Sequence, residues 1–174
     1  MKDNFQDLTT LHELLDFNAR LITDAEITLK NGLQNWVNKA SSVKLKEILM
    51  RYGDYIHRHI DKMGYFFTAE KLFPINPGNR VMKSLVIDTD EKIAICADAK
   101  LRDACLLASL QEINHYKISV YGTAASYAHT LGMIEMSILF HEAEISEKQI
   151  DDRLTQLAEY ETNPNANTVF SIAK

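Results

Sequence analysis

The sequence predicts an all-α fold: an antiparallel four-helix bundle with a long crossover between helices two and three that contains a short helix. Three observations carry this. Apolar residues recur at three- and four-residue steps through four long segments. Glycine and proline are sparse, six and three residues, and Pro74, Pro77 and Pro164 all fall outside those segments, so nothing interrupts them. Two joints between the segments are short and the third is long, which sets which helices can be antiparallel neighbours.

The first helix runs from about Thr9 to Val37. Its stripe is Leu11, Leu15, Asn18, Ile22, Glu26, Leu29, Leu33 and Trp36. Glu26 is a carboxylate inside an apolar stripe, which is costly without a cation or hydrogen-bond partner. Asn38-Lys39-Ala40-Ser41-Ser42 breaks the pattern, and Ser41 or Ser42 can cap the next helix. That second helix spans roughly 43–67 with stripe Leu45, Leu49, Tyr52, Ile56, His59, Met63 and Phe66, so His59 faces inward. The segment from Phe73 to Gly78 must turn, since neither of its prolines fits a helix interior. A short amphipathic piece, Val81–Ile87, is expected to pack over one end of the bundle. A crossover of this length is the connection a ferritin-like bundle uses.

Asp98 caps the third helix, which continues to Leu131 with Leu101, Ala104, Leu107, Gln111, Asn114, Ile118, Tyr121 and Ala125 on one face; Gly132 ends it. The fourth runs from near Met133 to near Glu161 with Leu139, Ala143, Glu147, Ile150, Leu154 and Leu157, again with one carboxylate in line. The bundle therefore occupies residues 1–161 as one domain, with a short leading tail over 1–6. Residues 162–174 form a tail, either disordered or held against the bundle by Val169, Phe170 and Ile172.

Charge narrows the function. The formal charge of −5 argues against nucleic acid as a partner, which would require a basic face. Residues 141–161 hold seven acids and two bases, net −5, so the other residues balance. Helical phase divides that excess: Glu147 points inward, Asp151 sits at the edge, and Glu142, Glu144, Asp152, Glu159 and Glu161 face solvent. The start lacks an apolar h-region and no run approaches the length of a membrane span, so a cytoplasmic protein without a membrane partner is expected. Cys96 and Cys105 are too few for a disulfide framework or structural zinc and read as free thiols. No Gly-x-Ser-x-Gly elbow, phosphate loop or Cys-x-x-Cys is present, which leaves hydrolase, nucleotide-binding and thiol-redox motif classes unsupported. Tyr52, Tyr55, Tyr65, Tyr116 and Tyr121 read as packing residues with satisfied hydroxyls.

Inward Glu and His on facing helices is the arrangement of carboxylate-bridged dimetal centres, because side chains three apart on a helix reach one metal and carboxylates bridge two cations. Glu26 and Glu147 qualify. The Glu-x-x-His spacing occurs only at Glu112 and His115, on a different face.

On helix three, Leu101-Arg102-Asp103-Ala104-Cys105-Leu106-Leu107, Gln111, His115-Tyr116 and Tyr121-Gly122-Thr123 resemble the signature of the YciF-type ferritin-like family of small bacterial stress-associated proteins. Asp24-Ala25-Glu26, Met82 with Leu85 and Val86, and Leu154-Thr155-Gln156-Leu157-Ala158 match in the same order, over roughly residues 9–160. The resemblance implies a ferritin-like four-helix bundle, frequent dimerisation and, in members that keep it, a carboxylate-rich metal centre. This chain departs from the pattern at that centre. The family's Glu-His-Tyr-Glu reads Asn114-His115-Tyr116-Lys117, polar positions of helix two read Tyr52, Tyr55-Ile56 and His59, and a run of three Glu reads Ile145-Ser146-Glu147. The candidate metal ligands that remain are Glu26, Glu147 and Asp151, with His59 as a replacement. Two divalent cations need about four negative charges nearby, more than these supply. The expectation is a largely degenerated site in which Lys117 or a water-bridged Asn114 pairs with Glu26 or Glu147 in place of metal. The protein is then a non-enzymatic homodimer without a cofactor. The alternative is an iron or manganese carboxylate protein that consumes oxygen or peroxide.

Overall fold

A computed structural model describes residues 7–72 and 78–167. Helices fill it, with no strand among the described residues. They are α1 (Leu11–Lys39), α2 (Val43–Ala69), α3 (Arg80–Ala94), α4 (Ala99–Thr130) and α5 (Ile134–Leu157), then one π-helical turn, Ala158–Thr162, and a single turn α6 (Asn163–Ala166).

Each start has a local cause. Thr10 accepts from the Glu13 amide while Glu13 reaches back to the Thr10 and Thr9 amides, a reciprocal cap for α1. Ser42 caps α2 through Leu45 N, Asn79 caps α3 through Met82 N, and Asp98 caps α4 through Lys100 N and Leu101 N. Each such cap is worth about 1 kcal/mol. Gly132, at φ 74°, supplies the left-handed turn that a side chain would resist between α4 and α5.

The packing partners are α1 with α2, α2 with α5, α5 with α4 and α4 with α1, a closed ring of the four long helices; α3 lies outside it against α1 and α4. The ring encloses two apolar clusters. One gathers Leu29, Leu33, Trp36, Leu45, Leu49, Ile56, Leu106, Leu110, Ile113, Ile150 and Leu154. The other gathers Leu15, Ala19, Ile22, Met63, Phe66, Ala124, Ala128, Met136, Phe140 and Ala143. Along every long helix the switch from one cluster to the other falls at one level: near residue 26 in α1, 59 in α2, 114–117 in α4 and 147 in α5.

The α2 stripe is buried at all seven expected positions. Other boundaries move. The short helix runs on from residue 87 to Ala94, held by the Lys92–Asp88 ion pair and by Asp90, which accepts from Trp36 Nε1 and Lys39 Nζ. Helix four does not reach Glu161 as one α-helix, because the ladder shifts to a π turn after Leu157. Residues 163–166 of the expected tail are helical, with Pro164 in the first turn, where its missing N–H costs nothing. On α4, Leu101 is exposed and Leu106, Leu110, Ile113 and Lys117 are buried instead. Three helices pack around α4, so its buried residues spread around the axis and no single stripe describes it. Tyr65 is exposed rather than packed, and Glu144 is mostly covered by His141, Lys148 and the close approach of Gly122. The Phe73–Pro77 turn, the 1–6 tail and the Val169, Phe170 and Ile172 contact lie outside the described residues.

A buried carboxylate fixes the first joint. Asp103 of α4, 3% exposed, accepts from Ser41 N, Ser41 Oγ and Ser42 N at 2.5–3.2 Å. It satisfies amides at the α2 N-terminus, where a negative charge is favoured by the helix dipole. Likewise Asp24 of α1 accepts from Asn79 N, and Asn79 Nδ2 donates to Leu21 O and Tyr116 Oη, which ties the end of the crossover to α1 and α4.

Candidate functional site: a buried carboxylate, lysine and histidine layer

Between the two apolar clusters lies a polar layer with one or more residues from each long helix: Glu26 from α1, Tyr52 and His59 from α2, Asn114, Lys117 and Tyr121 from α4, and Glu147 from α5. Glu26, Asn114 and Glu147 are 0% exposed, Lys117 1% and His59 2%. The spacings place them together. Tyr52 and His59 are two turns apart on the α2 stripe, while Asn114, Lys117 and Tyr121 step by three and four along α4.

Lys117 Nζ sits between the carboxylates, 2.9 Å from Glu26 Oε2 and 2.7 Å from Glu147 Oε1, and 4.6 Å above the Tyr52 ring. These are close ion pairs rather than aligned hydrogen bonds. His59 Nδ1 lies 3.1 Å from Glu26 Oε1 and 3.3 Å from Glu147 Oε1. Ionised carboxylates only accept, so Nδ1 is the ring nitrogen assigned a proton. Tyr121 Oη donates to Glu26 Oε1, and Tyr52 Oη to Glu147 Oε2 at 2.7 Å. Asn114 Nδ2 donates to Glu147 Oε2 at 2.7 Å and to the Glu147 carbonyl at 3.0 Å. All four carboxylate oxygens therefore face a donor from the chain: Glu26 Oε2 faces Lys117 alone, and each of the other three faces two.

The electrostatics follow from that enclosure. Burial alone would raise the Glu26 carboxyl, but the Lys117 charge and the donors His59 and Tyr121 outweigh it and hold it at about 2. Burial would lower Lys117, yet Glu147 and Glu26 together keep its ammonium above the ordinary lysine value. Burial and the adjacent carboxylates push both tyrosine hydroxyls well up, so they remain donors. The layer sets two carboxylates against one ammonium. Burying three charges costs several kcal/mol each before their attraction is counted, so the layer adds little stability. What it adds is register, since only one alignment of the four helices brings every donor to its acceptor.

Of the residues singled out in the sequence, Glu26, His59 and Glu147 converge, each offering one ligand atom within 4.8 Å of the others. Asn114 and Lys117 join them. Asp151 does not: one turn beyond Glu147 it has rotated to the edge of α5, where its carboxylate meets His115 Nε2 at 3.1 Å. Glu112 and His115 are both exposed, outside the ring. Tyr52 and Tyr121 carry more than packing, because each hydroxyl closes a carboxylate.

The family described as "Domain of unknown function (DUF892)" matches residues 10–167. Protein YciF of Escherichia coli (strain K12) is 30% identical over 155 residues, which cover 87% of this chain and 93% of YciF. The solved structure of the E. coli stress protein YciF superposes with a TM-score of 0.80 at 26% identity, covering 93% of this chain and all of that one. YcfI from Rhodopseudomonas palustris superposes with a TM-score of 0.83 at 24% identity, covering 86% and 96% of the two chains, and speaks for the fold alone. No helix among the described residues is long and apolar enough to cross a membrane. With a match over nearly its whole length in sequence and in fold, the chain belongs to the YciF-type family that carries this domain.

Proposed function

We propose that the protein is a ferritin-like, stress-associated four-helix bundle in which an internal ammonium holds the place of a dimetal carboxylate centre. It works without enzymatic chemistry, as a homodimeric binding or structural protein. The observation that carries this reading is Lys117. Its Nζ contacts one oxygen of Glu26 and one of Glu147, while His59, Tyr52, Tyr121 and Asn114 take the remaining positions. The donor set does not fit a dimetal centre. A second cation would need two more carboxylates, and the positions that could supply them hold Asn114 and Lys117. An ammonium between the two carboxylates supplies the positive charge they require and repels a metal ion from the same volume.

In this reading the bundle is a single cytoplasmic domain with no nucleic-acid or membrane partner. The dimer draws on α5, whose face opposite the core exposes Ile134, Ile138 and Ile145 by 53%, 54% and 41%. β-Branched residues this open on one helix face are what a second copy would cover. Sizing over a wide concentration range is expected to give a dimer that Ile138→Glu weakens; a wild-type monomer at high concentration removes the dimer.

A second reading, an iron or manganese carboxylate protein consuming oxygen or peroxide, is favoured by the convergence of Glu26, His59 and Glu147. Elemental analysis of protein produced in iron- and manganese-rich medium separates the two. The expected result is metal well below one ion per chain, unchanged in Glu147→Gln. Stoichiometric metal that Glu147→Gln abolishes would favour the second reading.

A further inference from the structure

Away from the polar layer, α3 and α4 form a hairpin whose closed end carries both cysteines. Cys96 lies in the irregular joint just after α3, and Cys105 lies in the second turn of α4, against the apolar cluster that includes Leu106. Both are free thiols and both are partly exposed. The two helices run side by side here: Lys92 Nζ, one turn before Cys96, bridges Asp88 Oδ2 at 2.7 Å and Glu112 Oε2 of α4 at 3.6 Å. Cys96 Sγ donates to the Lys92 carbonyl at 3.4 Å, and its thiol lies close enough to the Cys105 thiol for each to feel the other's charge. Burial and the neighbouring Cys96 raise Cys105, so it stays protonated near neutral pH. Two neighbouring, partly exposed thiols, nine residues apart in sequence and carried by helices that pack on each other, are placed to cross-link.

We propose that Cys96 and Cys105 are a reversible dithiol that a hydroperoxide oxidises to an intramolecular disulfide, stapling α3 to α4. The Cys96 thiolate attacks the peroxide oxygen; the O–O bond breaks, the sulfur is oxidised to a sulfenic acid, and the leaving oxygen departs as water after taking a proton. The Cys105 sulfur then attacks the sulfenic sulfur, the S–O bond breaks, and the Cys105 proton leaves with the hydroxyl as a second water. One peroxide is reduced and two thiols are oxidised. A dithiol reductant reverses the change by exchange at either sulfur. Neither cysteine belongs to the polar layer, so the dithiol and the Lys117 reading stand or fall separately.

The test treats the full chain with hydrogen peroxide near neutral pH and follows intact mass, thiol count and peptide mapping. The expected product is a single chain that has lost two hydrogens, both thiols titrating away together, and a peptide joining Cys96 to Cys105 that dithiothreitol separates. Closing so short a loop raises Tm by about 5–10 °C over the reduced protein. In Cys105→Ser the reaction stops at the sulfenic acid, which a dimedone probe labels more strongly than in the parent. Independent over-oxidation of either cysteine with no linked peptide, or links only between chains, overturns the proposal. Equal dimedone labelling of parent and variant does the same.

Discussion

Replacing Lys117 by Met keeps the length and apolar stem of the side chain and deletes its charge. The ammonium lies 2.9 and 2.7 Å from two carboxylate oxygens. At an effective dielectric of about 20, each contact is worth about 6 kcal/mol of gross attraction. Most of that offsets the desolvation of the lysine, which the variant no longer incurs. The variant is left with a pair of buried carboxylates that share only neutral donors and His59, and breaking such a set by removing one partner costs about 3–5 kcal/mol. In a chain of this size that lowers Tm by about 6–20 °C. The pH dependence carries the sharper sign. Without the ammonium, burial and mutual repulsion raise the folded-state carboxyls above their unfolded value near 4.5, so the variant is least unstable below that value and loses stability as pH rises through the raised one. Urea unfolding followed by far-UV circular dichroism between about pH 4 and 8 reads both effects. A second variant, with Glu26→Gln and Glu147→Gln added to Lys117→Met, removes all three charges and is expected to recover most of the loss. A Lys117→Met protein as stable as the parent, with the parent's pH profile, would show that the ammonium does not hold the two carboxylates in place.

The same geometry sets three smaller effects. In the parent protein Glu26 sits at about 2 against an ordinary 4.5. Its contribution, on the order of 3 kcal/mol, is present above about pH 4.5 and lost as pH falls toward 2, as acid titration of the unfolding free energy will show. Tyr52→Phe and Tyr121→Phe each remove a hydroxyl donor from a buried carboxylate and should cost about 1.5–3 kcal/mol in urea unfolding, less than additively when combined because the two carboxylates share Lys117 and His59. Asp103→Ala strips the acceptor from Ser41 N and Ser42 N and should cost about 2–4 kcal/mol, with early amide exchange at the joint between α1 and α2. An unchanged exchange pattern would show that the joint is held by something else.

The helices were legible because their stripes were strict. Leu45 through Phe66 on α2 reads as one face in sequence and is one face in the structure, and the caps at Ser42 and Asp98 stand where their side chains announce them. α4 was harder: with α1, α3 and α5 all packed on it, its apolar residues lie around the axis and the period that marks a one-sided helix is lost. The second half of α3 is polar apart from Ile93, and it is held by Asp90 and Lys92 contacts to other helices, which local periodicity cannot register. In the site, Glu26, His59 and Glu147 betrayed themselves as polar members of apolar stripes. Lys117 stood out only through departure from the family pattern. Tyr52 and Tyr121 looked like core residues because a ring on a stripe gives no sign of where its hydroxyl ends. Asp103 and Asp24 were invisible as anchors, since their partners lie about sixty residues away in joints whose paths the sequence does not specify.

The claim that Lys117 is the resident cation of the layer can be read directly from its nitrogen. Protein labelled with nitrogen-15 at lysine and titrated through the ordinary lysine range isolates Lys117 by comparison with Lys117→Met. A resident cation at Lys117 gives a slowly exchanging, fully protonated ammonium that persists after the exposed lysines have titrated, and that titrates earlier in Glu26→Gln. A Lys117 nitrogen that is neutral near pH 7, or that titrates below the exposed lysines, would contradict it.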